Sequence, residues 1–316
     1  MTDIPRRLKV GLFLPAGELF YMGGTPRWDD ILGMARDAEA LGFDSVWILD
    51  HQLIESDTPG WEGVEHGAWD CWSILAAIAA STSRIELGPF VSNTLLRNPA
   101  LTAKMADTVD EISGGRFILG LGAGWHQHEI EAFGFPYDHR ASRFEEAVQI
   151  IQPLLKTGYV DFEGTYYSAR ECELRPRGPR PNGPPILIGT KGERVMRVAA
   201  RYADIWNAEW LATPEEANPL LERIDAACVD VGRDPATLER TFGLLVDAPG
   251  WIAADHDDFA TIHRLGIKSA LTGSAEEIAA GLNAFADRGT THVQIWLGPN
   301  TREGIEALAP VLELLT

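Results

Sequence analysis

Short apolar segments rich in β-branched residues alternate with longer amphipathic segments along the whole chain. The short segments have the character of buried strands, and they cover residues 8–15, 45–49, 84–92, 116–121, 185–188, 205–208, 242–246 and 292–297. Apolar residues at helical spacing characterise the longer segments, at 28–41, 71–80, 99–112, 142–155, 193–202, 214–231, 275–288 and 303–315. Eight strand–helix units of this kind predict a parallel sheet closed as a (β/α)₈ barrel, the TIM-barrel fold of class α/β.

No Gly/Ser-rich linker divides the chain, so we expect one domain over residues 1–316. Two long connections, at 51–70 and 156–184, are interpreted as insertions between a strand and the following helix. The second contains a possible hairpin at 159–167. Long loops in compact barrels are usually functional, so we expect them to act as lids or interface elements.

Composition excludes several classes of function. The chain carries 27 basic and 46 acidic residues, a net charge of −19, which repels nucleic-acid backbones and anionic lipid surfaces. Its three cysteines form no CxxC pair, so neither a disulfide framework nor a thiolate zinc site is expected. No apolar run of about 18 residues occurs, so we expect no signal peptide or membrane span, and a cytoplasmic location.

The candidate chemistry lies where the predicted strands end, because barrel enzymes build their active sites at the carboxyl ends of the strands. The second strand ends in Asp50 and His51. A histidine exchanges protons near neutral pH, and a neighbouring carboxylate can orient it. We therefore expect His51 to be catalytic with Asp50 orienting it, the alternative being a histidine that only bonds a loop.

Glycine-rich turns follow the fourth and fifth strands. The first contains Gly122, Ala123 and Gly124, but Trp125 stands where a dinucleotide fingerprint needs its last glycine, so a Rossmann site is not expected. These glycines instead permit a flat ring or a phosphate to approach the backbone, or simply allow a tight turn. The second turn, 189–194, precedes a helix whose N-terminus suits an anion, unless it is an ordinary capped start.

A cluster of His126, His128 and Glu129 suggests a metal site, but residues two apart on a helix do not share a face, so we expect no metal. The two histidines are alternatively candidates for the pocket wall. Trp125, Trp206 and Trp210 are candidates for the walls of a planar-ligand site, although tryptophans in barrels more often serve packing.

The chain resembles the bacterial luciferase-like family of flavin and deazaflavin oxidoreductases. Five stretches carry the resemblance, in the family's order: FDSVWILDH at 43–51, RNPALTA at 97–103, SGGRFILGLGAGW at 113–125, PPILIGTKGER at 185–194 and VAARYADIWN at 198–207. The resemblance implies a luciferase-like (β/α)₈ barrel, usually dimeric, that binds reduced FMN or coenzyme F420. It places His51 at the active-site histidine and a non-prolyl cis peptide at Phe90–Val91.

The resemblance also assigns the cofactor site. Together with the glycine pattern, it predicts that the cofactor contacts Phe90, Val91, Gly122, Ala123, Gly124, Trp125, Gly189, Thr190, Lys191, Gly192, Glu193 and Arg194. The Asp50–His51 pair and the Asn98–Ala100 segment favour the branch of F420-dependent sugar-phosphate dehydrogenases. That branch has a glutamate where this chain has Trp125, which argues against a sugar-phosphate substrate.

Three functional hypotheses follow. The first is an F420-dependent oxidoreductase that transfers a hydride between deazaflavin C5 and a small organic substrate. The second is an FMNH₂-dependent monooxygenase, with the long loop after strand five closing as a lid. The third is either a cofactor-binding protein without catalysis or a metal-dependent hydrolase on the same barrel.

Overall fold

The barrel predicted from the sequence is confirmed by a computed structural model, which describes residues 6–18, 24–56, 64–250 and 270–315. Nine of the described strands form one parallel sheet in the order β5-β2-β1-β13-β12-β11-β10-β7-β6. The strands are β1 (Lys9–Phe13), β2 (Ser45–Ile48), β3 (Leu53–Ser56), β4 (Val64–Gly67), β5 (Glu86–Pro89), β6 (Ser92–Asn93), β7 (Leu119–Gly122), β8 (Tyr159–Glu163), β9 (Ser168–Glu173), β10 (Ile186–Gly189), β11 (Ile205–Leu211), β12 (Glu239–Asp247) and β13 (His292–Gly298).

Strands β5 and β6 are two halves of one barrel strand, so the nine strands of the sheet form a barrel of eight strands. β6 pairs in parallel with β7, with Ser92 opposite Leu121. On the β5 side of the interruption between β5 and β6, the Ile118 N–H donates to the Leu87 carbonyl at 2.9 Å. These hydrogen bonds join the third barrel strand to the fourth and close the barrel.

Except for the short helix α4, which the sequence did not predict, the described helices lie in the predicted intervals, and they cover the outside of the barrel. They are α1 (Trp28–Leu41), α2 (Cys71–Ser81), α3 (Pro99–Ser113), α4 (Gln127–Ala132), α5 (Arg140–Thr157), α6 (Glu193–Tyr202), α7 (Pro214–Asp230), α8 (Ala275–Ala286), α9 (Arg302–Ala307) and α10 (Ala309–Leu314). The closing helix expected at 303–315 is two helices, because Pro310 lacks the N–H that would continue α9. No helix in the described ranges is long and apolar enough to cross a membrane.

Alternate residues of each strand face inward, and they fill the barrel with aromatic rings. Phe13, Trp47, Phe90 and Trp296 belong to this inner cluster. The Phe13 and Phe90 rings meet edge to face, with centroids 4.7 Å apart. The larger core lies between the strands and the helices. The inner cluster forms a solid base beneath the carboxyl ends of the strands.

The two long connections leave the barrel at different kinds of junction. The first, after β2, carries the antiparallel β3–β4 hairpin and is a strand-to-helix insertion as expected. The second follows helix α5 and leads into β10, so its classification as a strand-to-helix insertion was wrong. Its β8–β9 hairpin lies against α5, where Glu146 accepts hydrogen bonds from the backbone N–H groups of Thr165, Tyr166 and Tyr167.

Candidate active site

A cavity of about 270 Å³ opens at the carboxyl ends of the barrel strands. It is lined by Leu49, Asp50, His51, Phe90, Val91, Asn93, Gly122, Ala123, Gly124, Trp125, Gly189, Glu209 and Trp210. The strand ends that the sequence indicated therefore meet in one place. No residue of the β8–β9 hairpin lines this cavity, so the lid expected from that connection has no support in the described lining.

The floor of the cavity is built around the Phe90–Val91 peptide bond, which is cis. Val91 projects toward the neighbouring strands β7 and β10. A Cβ at Gly122 would lie 2.5 Å from Val91 Cγ2, and one at Gly189 would lie 3.1 Å from Val91 Cγ1. Val91 therefore occupies the space that side chains at those glycines would need. The two glycines let this valine form the floor.

The next glycine shapes the turn that carries Trp125. Gly124 has φ +68°, and a Cβ there would lie 2.4 Å from Asn93 Oδ1. That oxygen is already fixed, because it accepts a hydrogen bond from the Leu95 N–H. Trp125 then stands at the mouth, 57% exposed, with its ring edge to face against His51 at 5.6 Å.

Asp50 does not orient His51, contrary to expectation. Its buried carboxylate forms a two-point ion pair with Arg97, at 2.5 and 3.0 Å. It also accepts hydrogen bonds from the Ser92 hydroxyl and the Asn93 N–H. Asp50 therefore ties β2 to the segment after the cis peptide, and it acts on the shape of the floor. Arg97 lies in the RNPALTA stretch, but the sequence did not indicate this pairing.

The carboxylate that contacts His51 belongs to Glu129, on the short helix α4. His51 Nδ1 lies 3.2 Å from Glu129 Oε1, and Glu129 also accepts from the backbone N–H groups of Gln52 and Leu53. Its side chain is fully buried. Burial favours the neutral acid, but the hydrogen bonds from His51 and the two amides outweigh it and hold the Glu129 pKa below its ordinary value.

An ionised carboxylate can only accept hydrogen bonds, so this pair determines the tautomer of His51. Nδ1 must carry the proton that it donates to Glu129. In the neutral ring Nε2 is then the basic nitrogen, through which His51 can exchange a proton with a ligand. The His51 side chain is 16% exposed and lines the cavity, so the arrangement suits general acid–base chemistry.

The turn after β10 reaches the cavity at one residue. Gly189 lines the wall, whereas Thr190, Lys191, Gly192, Glu193 and Arg194 continue to the start of α6 outside the lining. Lys191 Nζ lies 3.9 Å from Glu209 Oε1, and Arg194 pairs with Glu145 at 3.3 Å. Lys191 therefore lies next to a carboxylate of the cavity wall, whereas Arg194 pairs with a carboxylate outside the lining.

The three candidate tryptophans lie in different environments in the folded protein. Trp206 is fully buried on the outer side of the barrel, against Phe242, so it does not reach the cavity. Trp210 lines the cavity with a φ of +64°. A non-glycine residue pays a steric cost for that conformation, and such residues cluster at functional sites. The β11–β12 pairing shifts register at this point, which brings Glu209 and Trp210 together into the wall.

Metal ligands do not gather in the described ranges, where no group of three or more His, Cys, Asp or Glu side chains could hold an ion. Glu129, one member of the suspected cluster, is instead the buried partner of His51. From the sequence this residue was considered only as a metal ligand, that role was rejected, and its contact with His51 was not predicted.

Several known proteins are similar to this chain. A 5,10-methylenetetrahydromethanopterin reductase from Archaeoglobus fulgidus is 33% identical over 198 residues, which is 62% of this chain and 53% of the reductase. The pyrimidine monooxygenase RutA of Enterobacter cloacae is 30% identical over 242 residues, which is 72% of this chain and 64% of RutA. The chain thus spans between half and two thirds of the length of these relatives.

Solved structures share the fold at low sequence identity. An F420-dependent secondary alcohol dehydrogenase, in complex with an F420-acetone adduct, superimposes with a TM-score of 0.79 at 20% identity, covering 98% of this chain and 99% of that one. The monooxygenase RslO1 from Streptomyces bottropensis gives 0.75 at 19% identity, covering 97% and 99%. The sequence profile described as luciferase-like monooxygenase matches residues 8–249. The chain therefore belongs to the luciferase-like monooxygenase family.

Proposed function

We propose that this luciferase-like oxidoreductase binds coenzyme F420 in the cavity and exchanges a hydride with a small organic substrate. The observation that carries the proposal is the His51–Glu129 pair, whose histidine lines the cavity while the glutamate is buried behind it. Hydride exchange with an alcohol or a carbonyl compound must be accompanied by proton exchange, and His51 Nε2 offers a base of defined tautomer for it.

The residues present fit a planar ring. A volume of about 270 Å³ lies just below the roughly 300–1,000 Å³ range of ligand pockets, so the cavity would hold a planar ring but not the whole cofactor. Val91 and Phe90 offer an apolar floor, and Trp125 and Trp210 flank the space. When bound, the deazaflavin would give or accept the hydride at C5.

The chain's own groups would divide the remaining work. Val91 would support the ring from the floor of the cavity, and the ion pair of Asp50 with Arg97 fixes the segment that carries Val91. His51 Nε2 takes or returns the proton of the substrate, and Glu129 stabilises the protonated imidazole. The rim from Thr190 to Arg194 is the proposed contact for the cofactor phosphate, with Lys191 and Arg194 exchanging their carboxylate partners for it.

Anaerobic titration tests the cofactor. We expect micromolar affinity for F420 and negligible affinity for reduced FMN. The His51→Ala variant should bind F420 like the wild type and lose roughly 100-fold or more in kcat. Full turnover by this variant would remove His51 from the mechanism.

A second candidate is an FMNH₂-dependent monooxygenase, favoured by the 30% identity with pyrimidine monooxygenase RutA. Oxygen activation requires exclusion of water, whereas Trp125 at the mouth is more than half exposed. Tight binding of reduced FMN, followed by substrate-dependent oxygen consumption, would establish this alternative. A homodimer, a single domain over 1–316 and a cytoplasmic location remain predictions from the sequence.

A further inference from the structure

Two polar side chains line the cavity on different sides. Asn93 ends β6 and Glu209 lies on β11, and the strands β7 and β10 separate them. Three strand spacings of about 4.8 Å put roughly 14 Å of sheet between the two residues. Only an elongated ligand can contact both side chains, which suits a tricyclic ring and not a small substrate.

Glu209 provides a carboxylate that can still accept a hydrogen bond. Asp50, the other carboxylate of the described lining, already accepts four hydrogen bonds. The Glu209 side chain is 31% exposed, and Lys191 Nζ lies 3.9 Å from its Oε1, beyond hydrogen-bond distance. Lys191 instead donates to the backbone carbonyl of Glu209 at 3.3 Å. The Glu209 carboxylate is therefore available to a donor on a ligand.

The backbone beside Glu209 also indicates a functional position. The β11–β12 pairing shifts register there, and the next residue, Trp210, has a φ of +64°. On β12, Gly243 leaves room for the base of the glutamate, because a Cβ at Gly243 would lie 3.0 Å from Glu209 Cβ. Backbone strain of this kind persists mainly where a ligand or a reaction requires it.

Asn93 offers the opposite chemistry, a hydrogen-bond donor. The residue is only 5% exposed, and its Oδ1 accepts a hydrogen bond from the Leu95 N–H at 3.1 Å. The NH₂ group is therefore the part of the amide left to donate. The cavity thus has a donor on the β6 side and an acceptor on the β11 side.

This polarity matches one orientation of the F420 ring. The ring carries a hydroxyl group at position 8, at the end remote from its imide edge with two carbonyl oxygens. With the hydroxyl toward Glu209, a donor meets an acceptor, and an imide carbonyl meets the NH₂ group of Asn93. The reverse orientation brings the carbonyl oxygens against the carboxylate, which is unfavourable. FMN carries a methyl group at position 8, which would cover the carboxylate without pairing with it.

We propose that Glu209 selects the cofactor by accepting a hydrogen bond from the ring hydroxyl, while Asn93 holds the imide edge at the other end. Glu209 is then a specificity-determining residue that favours F420 over FMN. This inference rests on the function proposed above, because it concerns the same ring in the same cavity.

The same contact changes the acidity of the bound ring. A carboxylate beside the hydroxyl disfavours its ionised form, so the pKa of the hydroxyl should rise when F420 binds. The other charged groups at the described lining are Lys191 beside Glu209, and His51 and the Asp50–Arg97 ion pair on the β2 side. Because Lys191 turns to the phosphate in the proposed complex, Glu209 determines the sign of the shift.

Binding titrations with the two oxidised cofactors test this selection. Glu209→Gln keeps the size of the side chain and removes its charge, so the ratio of F420 affinity to FMN affinity should fall roughly tenfold. Both cofactors carry a phosphate, so this ratio cancels any effect that acts through Lys191. The absorption spectrum of bound F420, followed over pH, should show a hydroxyl pKa about one unit lower in Glu209→Gln than in the wild type.

Two further variants complete the test. Glu145→Gln removes a carboxylate that pairs with Arg194 at 3.3 Å and lies outside the lining. This matched control should change neither the affinity ratio nor the pKa of the hydroxyl. Asn93→Asp keeps an acceptor for the Leu95 N–H but loses the donor, so both cofactors should bind roughly tenfold more weakly, with an unchanged ratio.

A wild-type affinity ratio in Glu209→Gln, or an equal fall in Glu145→Gln, would overturn the inference and leave F420 as the cofactor. An increased ratio in Asn93→Asp would show that the hydroxyl lies on the β6 side, and it would overturn the inference as well. A wild type that binds FMN in preference to F420 would contradict the proposed function, and the role of Glu209 with it.

Discussion

Replacing Glu129 with glutamine tests the central feature of the site. The amide keeps the size of the side chain but removes its charge, and its NH₂ group can donate. Where that group faces His51, Nδ1 must become the acceptor, so the proton moves to Nε2. The base proposed to receive the substrate's proton is then already protonated.

The magnitude follows from the contacts of Glu129. Three donors reach its carboxylate: His51 Nδ1 and the N–H groups of Gln52 and Leu53. Hydrogen bonds to a charged group contribute about 1.5–3 kcal/mol and neutral ones about 0.5–1.5, so we expect Glu129→Gln to cost about 2 kcal/mol of unfolding free energy at pH 7. The loss of the base should lower kcat by roughly 100-fold or more.

The pH dependence of the stability difference has a defined sign. The folded-state pKa of Glu129 lies below its ordinary value of 4.5, so its ionised form stabilises the fold above that pH. This contribution is lost as the pH falls through the folded-state pKa. Urea denaturation of wild type and Glu129→Gln should therefore show a difference that is full at pH 7 and shrinks in acid.

Glu146→Gln supplies the control for these measurements. Glu146 also accepts three backbone N–H groups, in the turn of the β8–β9 hairpin, and it does not line the cavity. The control should lose stability and keep its kcat. Wild-type kcat in Glu129→Gln, or an equal loss in Glu146→Gln, would refute the role assigned to the His51–Glu129 pair.

Two further substitutions test the backbone and the buried charge of the site. Gly124→Ala should lose about 2–3 kcal/mol of unfolding free energy, from a left-handed φ and the overlap with Asn93. Gly134→Ala, with φ +80° and no atom within 4 Å of the new Cβ, should lose only about 1 kcal/mol; equal losses in urea denaturation would contradict the overlap. Burial raises the pKa of Asp247 to about 6 from 3.8, so between about pH 4 and 6 the folded protein keeps a proton that the unfolded chain releases. The stabilisation from this bound proton should fall as the pH rises through that range, and Asp247→Asn should abolish this part of the dependence of the thermal midpoint on pH. An unchanged pH dependence in the variant would refute the raised pKa of Asp247.

Local pattern was sufficient for the regular elements of the barrel. Helix α1 spans 28–41 as predicted, and Gly42 ends it with a φ of +92°. Helix α6 likewise spans 193–202 as predicted. Helical periodicity and capping residues depend only on residues close together in the chain, so they can be recognised in the sequence alone. Helix α4 has only six residues, too few for a periodic signal, and it was missed together with the correct role of its buried glutamate.

The sequence by itself determined the alternation of strands and helices, and therefore the barrel and the edge at which its polar strand ends meet. Only the tertiary structure decided which of those groups touch. Asp50 is adjacent to His51 in the chain yet pairs with Arg97, whereas Glu129, 78 residues away, reaches the histidine. Neighbouring residues leave a strand end in different directions, and hydrogen bonds act over about 3 Å. The partner of His51 was therefore set by how α4 packs against the segment after β2, which no local pattern encodes.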